Sequence, residues 1–246
     1  MALPDNVLVL DDPEAVARAG ADRFVATAQR AIAANGRFSV ALSGGSTPKR
    51  TYQILADQPY RDALDWARVH IFFGDERCVP PDDEQSNYRM AREAMLSHVP
   101  IPEANIHRMR GELDSAEAGR LYETELRAFF AGAGWPRLDF VMLGMGDDGH
   151  TASLFPGTTA LRETHAWVTS NWVEKLNTHR ITLTIPALNH AAHVALLING
   201  AGKTERLVEV LRGPHEPERL PVQFIKPLDG SIEWILDKAA AARLDT

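Results

Sequence analysis

At 246 residues, with 45% hydrophobic and 24% charged side chains, the chain has the size and composition of one large α/β domain or two small ones. Its formal charge of −7 excludes a general nucleic-acid binder, which carries a net basic footprint, and leaves room for a local basic pocket that takes a small anion. A single cysteine, Cys78, excludes an intramolecular disulfide framework and a cysteine-held zinc, and with only Arg77 beside it to lower its pKa it reads as a bystander.

The N-terminus, MALPDNVLVLDD, lacks the basic start and long apolar run of a secretory signal, and no stretch is apolar for long enough to span a bilayer. A reducing, cytoplasmic setting is therefore expected. Val7–Leu10 reads as a strand, and Asp12-Pro13 supplies a cap and a first-turn proline for a helix to Gly36, with Phe24, Val25, Ala28 and Ile32 on one face. Phe38–Leu42 is a second strand and empties straight into Ser43-Gly44-Gly45-Ser46-Thr47-Pro48. Two glycines let backbone N–H groups turn toward a ligand, the hydroxyls add donors, and a helix over Pro48–Ala56 with a Thr47 cap presents an N-terminus that favours an anion.

Val69–Phe73 is the next strand and ends in Gly74-Asp75-Glu76-Arg77, followed by the irregular stretch Val79–Gln85. Ligands of open α/β sheets bind outside the carboxyl ends of the strands, which makes these charged residues a candidate site wall. Ser86-Asn87 starts a helix to about Ser97, and Asp114-x-x-Glu117 opens one to Phe130 with Leu121, Tyr122, Leu126 and Phe129 as its apolar stripe.

The run LDFVMLGMGDDGHTASLFP, Leu138–Pro156, is the stretch on which the rest is organised. An apolar strand stops abruptly in three glycines, two aspartates and a histidine. Gly144-x-Gly146-x-x-Gly149 has the spacing of a dinucleotide fingerprint, but Pro156 and Gly157 cut off the long helix that motif requires, and no strand followed by an acid arrives about twenty positions on. His150 is the natural proton carrier, with Asp148 two residues earlier, or Asp75 from another loop, to hold its tautomer.

Trp167–Trp172 and the alternating Arg180–Ile185 follow as strands, and the continuous apolar Val194–Ile198 reads as a central one. It runs into Asn199-Gly200-Ala201-Gly202-Lys203-Thr204, which fails the nucleotide-triphosphate pattern because Leu197 stands where the first glycine belongs. A glycine turn with a lysine still suits a small phosphate. Val222–Ile225, the Asp229-Gly230 turn and Ile232–Leu236 suggest a hairpin before a terminal helix capped by Asp237. His190-x-x-His193 has no third ligand nearby and is not taken as a metal site; His165, His179 and His215 read as loop residues, and no Gly-x-Ser-x-Gly elbow is present.

Without an internal repeat or domain-breaking linker, residues 1–246 are expected to form a single α/β domain, its largely parallel sheet flanked by helices on both faces. Parallel strands would bring the three glycine turns to one edge, so a phosphate site and a reactive His-Asp site would be neighbours.

The blocks SGGSTP (Ser43–Pro48), GDER (Gly74–Arg77) with SNY (Ser86–Tyr88), GMGDDGHTASLFP (Gly144–Pro156), RITLT (Arg180–Thr184) and GAGK (Gly200–Lys203), in this order, resemble the 6-phosphogluconolactonases. That family is similar to the glucosamine-6-phosphate deaminases and shares with them a modified Rossmann-type, three-layer fold. The deaminases typically carry a glutamate five residues after the histidine, where this chain has Phe155, and tend to carry tyrosine in place of Arg77.

The resemblance implies hydrolysis of 6-phospho-D-glucono-1,5-lactone without metal or organic cofactor, and no nucleic acid, membrane or obligate protein partner. It implies His150 as the base that activates water, Arg77 near the developing oxyanion, and Asp75 and Asp148 positioning the histidine and sugar hydroxyls. Ser43, Gly44, Gly45, Ser46, Thr47, Arg180 and Lys203 are the phosphate candidates. A sugar-phosphate deaminase, a non-catalytic sugar-phosphate sensor and a dinucleotide oxidoreductase are the competing readings.

Overall fold

In the computed structural model, which describes residues 3–244, strands and helices alternate through most of the chain. β1 (Val7–Leu10) leads to α1 (Pro13–Asn35), capped by the Asp12 carboxylate on the Ala15 N–H and stopped by Gly36 at φ 76°. β2 (Phe38–Leu42), α2 (Ser46–Ala56), β3 (Val69–Phe73) and the short β4 (Asp75–Arg77) follow. α3 (Asn87–Ala91) continues as a π-helical turn through Leu96, and α4 (Ser115–Phe129) starts at Asp114, whose side chain accepts from the Ala116 and Glu117 N–H groups. The second half runs β5 (Phe140–Leu143), β6 (Val168–Val173), β7 (Thr178–Leu183), α5 (Ile185–Asn189), β8 (His193–Ile198), α6 (Thr204–Arg212), β9 (Ser231–Asp237) and α7 (Lys238–Ala241).

Among the described residues six strands form one sheet in the order β1-β9-β8-β5-β2-β3, every pair parallel. Such a sheet must be covered on both sides, and the strand alternation divides its side chains between two cores. Val40, Leu42, Phe140, Met142 and Leu197 meet Phe24 of α1 and Tyr52 and Leu55 of α2 on one face. Val141, Leu143, Val194 and Leu196 meet Tyr122 and Leu126 of α4 and Leu207 of α6 on the other. Burial of each large apolar side chain contributes roughly 1.5–3 kcal/mol. This is the three-layer α/β arrangement expected, with β8 in the interior of the sheet.

A second sheet, antiparallel in the order β4-β7-β6, was not foreseen. Gly74 joins the two sheets: its N–H donates to the Leu42 carbonyl of β2 and its carbonyl accepts from the Leu183 N–H of β7, both at 2.8 Å. Asp75–Arg77, expected as a polar turn, is therefore a strand. The buried Glu76 carboxylate fastens it to α3 by accepting from the Arg77, Asn87 and Tyr88 N–H groups and the Ser86 hydroxyl.

Other local expectations fail for identifiable reasons. Pro221–Phe224 is a short 3-10 helix, not a strand, and β9 pairs in parallel with both β1 and β8, so Asp229-Gly230 is no hairpin turn. The Gln223 side chain holds that helix to the Val210 and Pro214 carbonyls. α2 begins at Ser46 with Gly45 at the cap, which removes Thr47 from that role. Leu121 of the expected α4 stripe is 40% exposed, Ile185 belongs to α5, and His179 lies in β7.

Candidate active site

Because β2, β5 and β8 are parallel, their carboxyl ends deliver Ser43–Thr47, Gly144–His150 and Asn199–Lys203 to one cleft of about 550 Å³, with β4 and β7 forming a further wall. Every catalytic or phosphate candidate named from the sequence lines this cleft except Asp148, which is bonded to the His150 ring.

His150 lies in a tight turn closed by the Gly146 N–H to His150 carbonyl bond at 2.8 Å. Its Nδ1 is 2.5 Å from Asp148 Oδ1, which also accepts the His150 backbone N–H at 3.2 Å. A carboxylate there fixes the proton on Nδ1 and leaves Nε2 as the basic nitrogen. The second oxygen, Asp148 Oδ2, takes Lys175 Nζ at 3.1 Å. Burial works to raise the Asp148 carboxyl, but the hydrogen bonds and charge of His150, with Lys175, outweigh it and hold the group well below the usual carboxylate range. The His150 ring stacks on Phe155 at 4.1 Å between centroids.

Gly146 has a steric purpose that the motif alone does not disclose. A Cβ on it would sit 2.1 Å from His150 Nδ1, so the missing side chain makes room for the catalytic candidate itself. No helix follows Gly149; Thr151 instead pairs with Leu154 in an isolated bridge, which removes the dinucleotide reading of this turn.

Asp75, expected as an alternative partner of His150, is engaged elsewhere. Its Oδ2 accepts from the Ser153 hydroxyl at 2.6 Å, and Asn87 Nδ2 donates to its carbonyl at 2.9 Å. Asp148 therefore sets the tautomer, and Asp75 is a separate, buried acceptor in the cleft wall. Arg77 and Arg180 stand directly opposite each other on β4 and β7. Like charges in that register repel, and burial together with Arg77 lowers the Arg180 pKa against the pull of Asp75, while the Arg77 guanidinium donates to the Gln85 carbonyl; an anion beside the pair would relieve the repulsion.

At the β2–α2 turn the N–H groups of Ser46 and Thr47 lie in the first helical turn and are offered outward. The Ser43 hydroxyl is not available in the same way: it donates to the Met142 carbonyl, and the Ser43 N–H is held by Tyr52 Oη at 3.0 Å. Lys203 stands before α6 and also lines the cleft. His190 and His193 are occupied by the Pro186 carbonyl and the Ser231 hydroxyl. Burial pushes the Cys78 thiol up, away from nucleophilic use.

Sequence reasoning missed Lys175, on the β6–β7 loop, and the contact of Phe155 with the imidazole. A lysine in a surface hairpin has no local signature. Asn87 was read as a helix start and as part of the SNY block, with no site role, although its amide holds Asp75 from a position 1% exposed.

Known proteins resemble this chain over nearly its whole length. A 6-phosphogluconolactonase of Synechocystis sp. is 45% identical over 218 residues, covering 87% of this chain and 88% of its own. One of Nostoc sp. is 43% identical over 243 residues, covering 97% and 98%. The solved 6-phosphogluconolactonase of Trypanosoma cruzi superposes with a TM-score of 0.87 at 31% identity, covering 100% of this chain and 99% of that one. The family model described as glucosamine-6-phosphate isomerases/6-phosphogluconolactonase matches residues 11–234, and with the ordered turns and the His-Asp cleft in place, the chain belongs to that family.

Proposed function

We propose that this cleft hydrolyses 6-phospho-D-glucono-1,5-lactone to 6-phospho-D-gluconate, the lactone-opening step of the oxidative pentose phosphate pathway. The observation that carries the reading is the His150–Asp148 dyad, with Nε2 basic, in a cleft that also holds a helix N-terminus, two facing arginines and a lysine. The names and near full-length coverage of the relatives support it.

In this reading the phosphate is held by the Gly44–Thr47 N–H groups with Lys203 and Arg180, which sets the lactone carbonyl against His150. His150 Nε2 takes a proton from water, and the hydroxide adds to the carbonyl carbon. Arg77 offsets the charge on the tetrahedral oxygen. Collapse breaks the bond to the ring oxygen, which receives the proton from His150, and the new carboxylic acid ionises in water. Asp148 stays a carboxylate throughout and holds the imidazolium. Asp75, fixed by Ser153 and Asn87, accepts from a sugar hydroxyl. The reaction draws on protein groups and water, within one catalytic domain working in the cytoplasm.

Deamination of an amino sugar phosphate is the competing chemistry, and Phe155 argues against it. An apolar ring stacked on His150 carries no proton to or from a sugar ring. The decisive assay offers fresh 6-phosphogluconolactone and glucosamine 6-phosphate in parallel and follows acid and ammonia release, with the spontaneous lactone rate subtracted. Acid release alone is expected, and ammonia would overturn the reading. Binding of 6-phosphogluconate without faster lactone opening would identify a sensor. His150→Ala should lower kcat by roughly 10²–10⁴.

A further inference from the structure

The β6–β7 loop crosses one side of the cleft as a single turn, Glu174–Leu176, closed by Asn177 in the left-handed region at φ 48°. Lys175 and Leu176 reach the cleft from it. Lys175 Nζ lies 3.1 Å from Asp148 Oδ2 and 3.8 Å from Asp147 Oδ1. The other Asp148 oxygen is committed to His150. We propose that Lys175 is a positioning residue for the Asp148–His150 dyad, holding the carboxylate against the imidazole from its far oxygen and offsetting its charge while Nε2 stays free to accept a proton.

The charges around the dyad come from several elements. Asp147 and Asp148 belong to its own turn, and Lys175 approaches from the β6–β7 loop. Arg206 of α6 donates to the Asp147 carbonyl at 2.8 Å and pairs with Glu209. Asp75, Arg77, Arg180 and Lys203 stand on the remaining walls of the cleft, and Phe155 presents an uncharged ring. Of these, Lys175 is the cation on the dyad's own carboxylate. An unaccompanied carboxylate would draw a proton onto the imidazole and keep it there to higher pH. A cation on the far oxygen opposes that pull and orients the carboxylate without occupying Nε2.

The test is the pH–rate profile of Lys175→Met beside the wild type. Its acid limb should move up by about half a unit to one unit, the size expected of one partly screened charge at this range. Turnover on the acid side of the limb should fall roughly 3–10-fold, with the loss narrowing as pH rises. Lys175→Arg should restore the profile. Because Lys175 is 60% exposed, about 1 M salt should shift the wild-type limb in the same direction as the substitution.

An acid limb that stays in place in Lys175→Met overturns the proposal, as does a raised KM with an unmoved limb, which would make Lys175 a substrate contact. The kinetic arm rests on the lactonase reading, but a second measurement does not. Ring-proton resonances of the His150 imidazole followed against pH in ligand-free protein report the dyad's protonation directly, and the midpoint should move upward in Lys175→Met whatever the substrate. Coincident curves there would sink the proposal even if wild-type lactonase activity is found.

Discussion

Glu76 is the residue through which a structural change should reach the active site without touching it. The side chain is 2% exposed, yet its carboxylate takes the Arg77 and Asn87 N–H groups on one oxygen, and the Tyr88 N–H and Ser86 hydroxyl on the other, at 2.7–3.1 Å. Burial raises its pKa while the backbone donors oppose that. In Glu76→Gln one oxygen becomes an NH2 group. With the amide oriented to keep Arg77 and Asn87, the Tyr88 N–H faces a donor, whereas the Ser86 hydroxyl can turn.

An orphaned buried donor costs about 1–3 kcal/mol, and the surviving bonds lose their charge assistance at about 1 kcal/mol each. Relief from burying a charge offsets part of this, leaving a net loss of about 2–3 kcal/mol. For a chain of this size that corresponds to roughly 5–10 °C in Tm. Thermal unfolding followed by circular dichroism measures it, and kcat/KM should fall in parallel because Asp75 and Arg77 flank the substituted residue. A Tm within about 1 °C of wild type would refute the claim that this carboxylate holds β4 to α3.

Three further expectations come from other parts of the molecule. Gly146→Ala must displace the His150 ring, since the added carbon would lie 2.1 Å from Nδ1, and kcat should drop about 100-fold with the far-ultraviolet spectrum retained; a change under threefold would mean that the turn can give way. Lys203→Ala should raise KM roughly 10–100-fold with a smaller effect on kcat, and an unchanged KM removes it from phosphate binding. His70 donates from Nδ1 toward His107, which is held by Glu125 at 2.6 Å, and burial, with the charges of His107 and Arg37, lowers the His70 pKa to about 4. The unfolded chain then binds the extra proton more readily, so the contribution is present above pH 6.5 and is lost as pH falls toward 4. Discounted for solvent screening it amounts to about 1–2 kcal/mol, and His70→Gln should therefore lose less Tm than wild type between pH 7.5 and pH 4.5.

Much of this protein is written locally. The apolar runs Phe38–Leu42, Val69–Phe73 and Val194–Ile198, the Asp12 and Asp114 caps and the stop at Gly36 depend on neighbours a few residues away, and the structure places strands and helix ends there. The grouping of the glycine turns was also legible, because parallel strands oblige their carboxyl ends to share an edge. Within the site, His150 with Asp148 could be read from adjacency in the chain.

What the chain by itself determined was most strands of the parallel sheet, the Asp12 and Asp114 helix starts and the polar turns that carry His150, Lys203 and the Ser43–Thr47 donors, since each depends on short-range periodicity, capping or backbone freedom. Tertiary structure decided the pairings. Val222–Ile225 is apolar enough for a strand, but β8 and β1 already flank β9, and no place in the sheet remains beside it. Asp75–Arg77 becomes a strand because β7 offers it an edge, and that register sets Arg77 against Arg180, 103 positions away in sequence. Asp75 passes to Ser153 and Asn87, the Ser43 hydroxyl to Met142, and Lys175 comes to Asp148 from a different sheet. Each of these contacts joins segments that the backbone alone cannot relate, and the folding of two cores around one sheet is what brings them together.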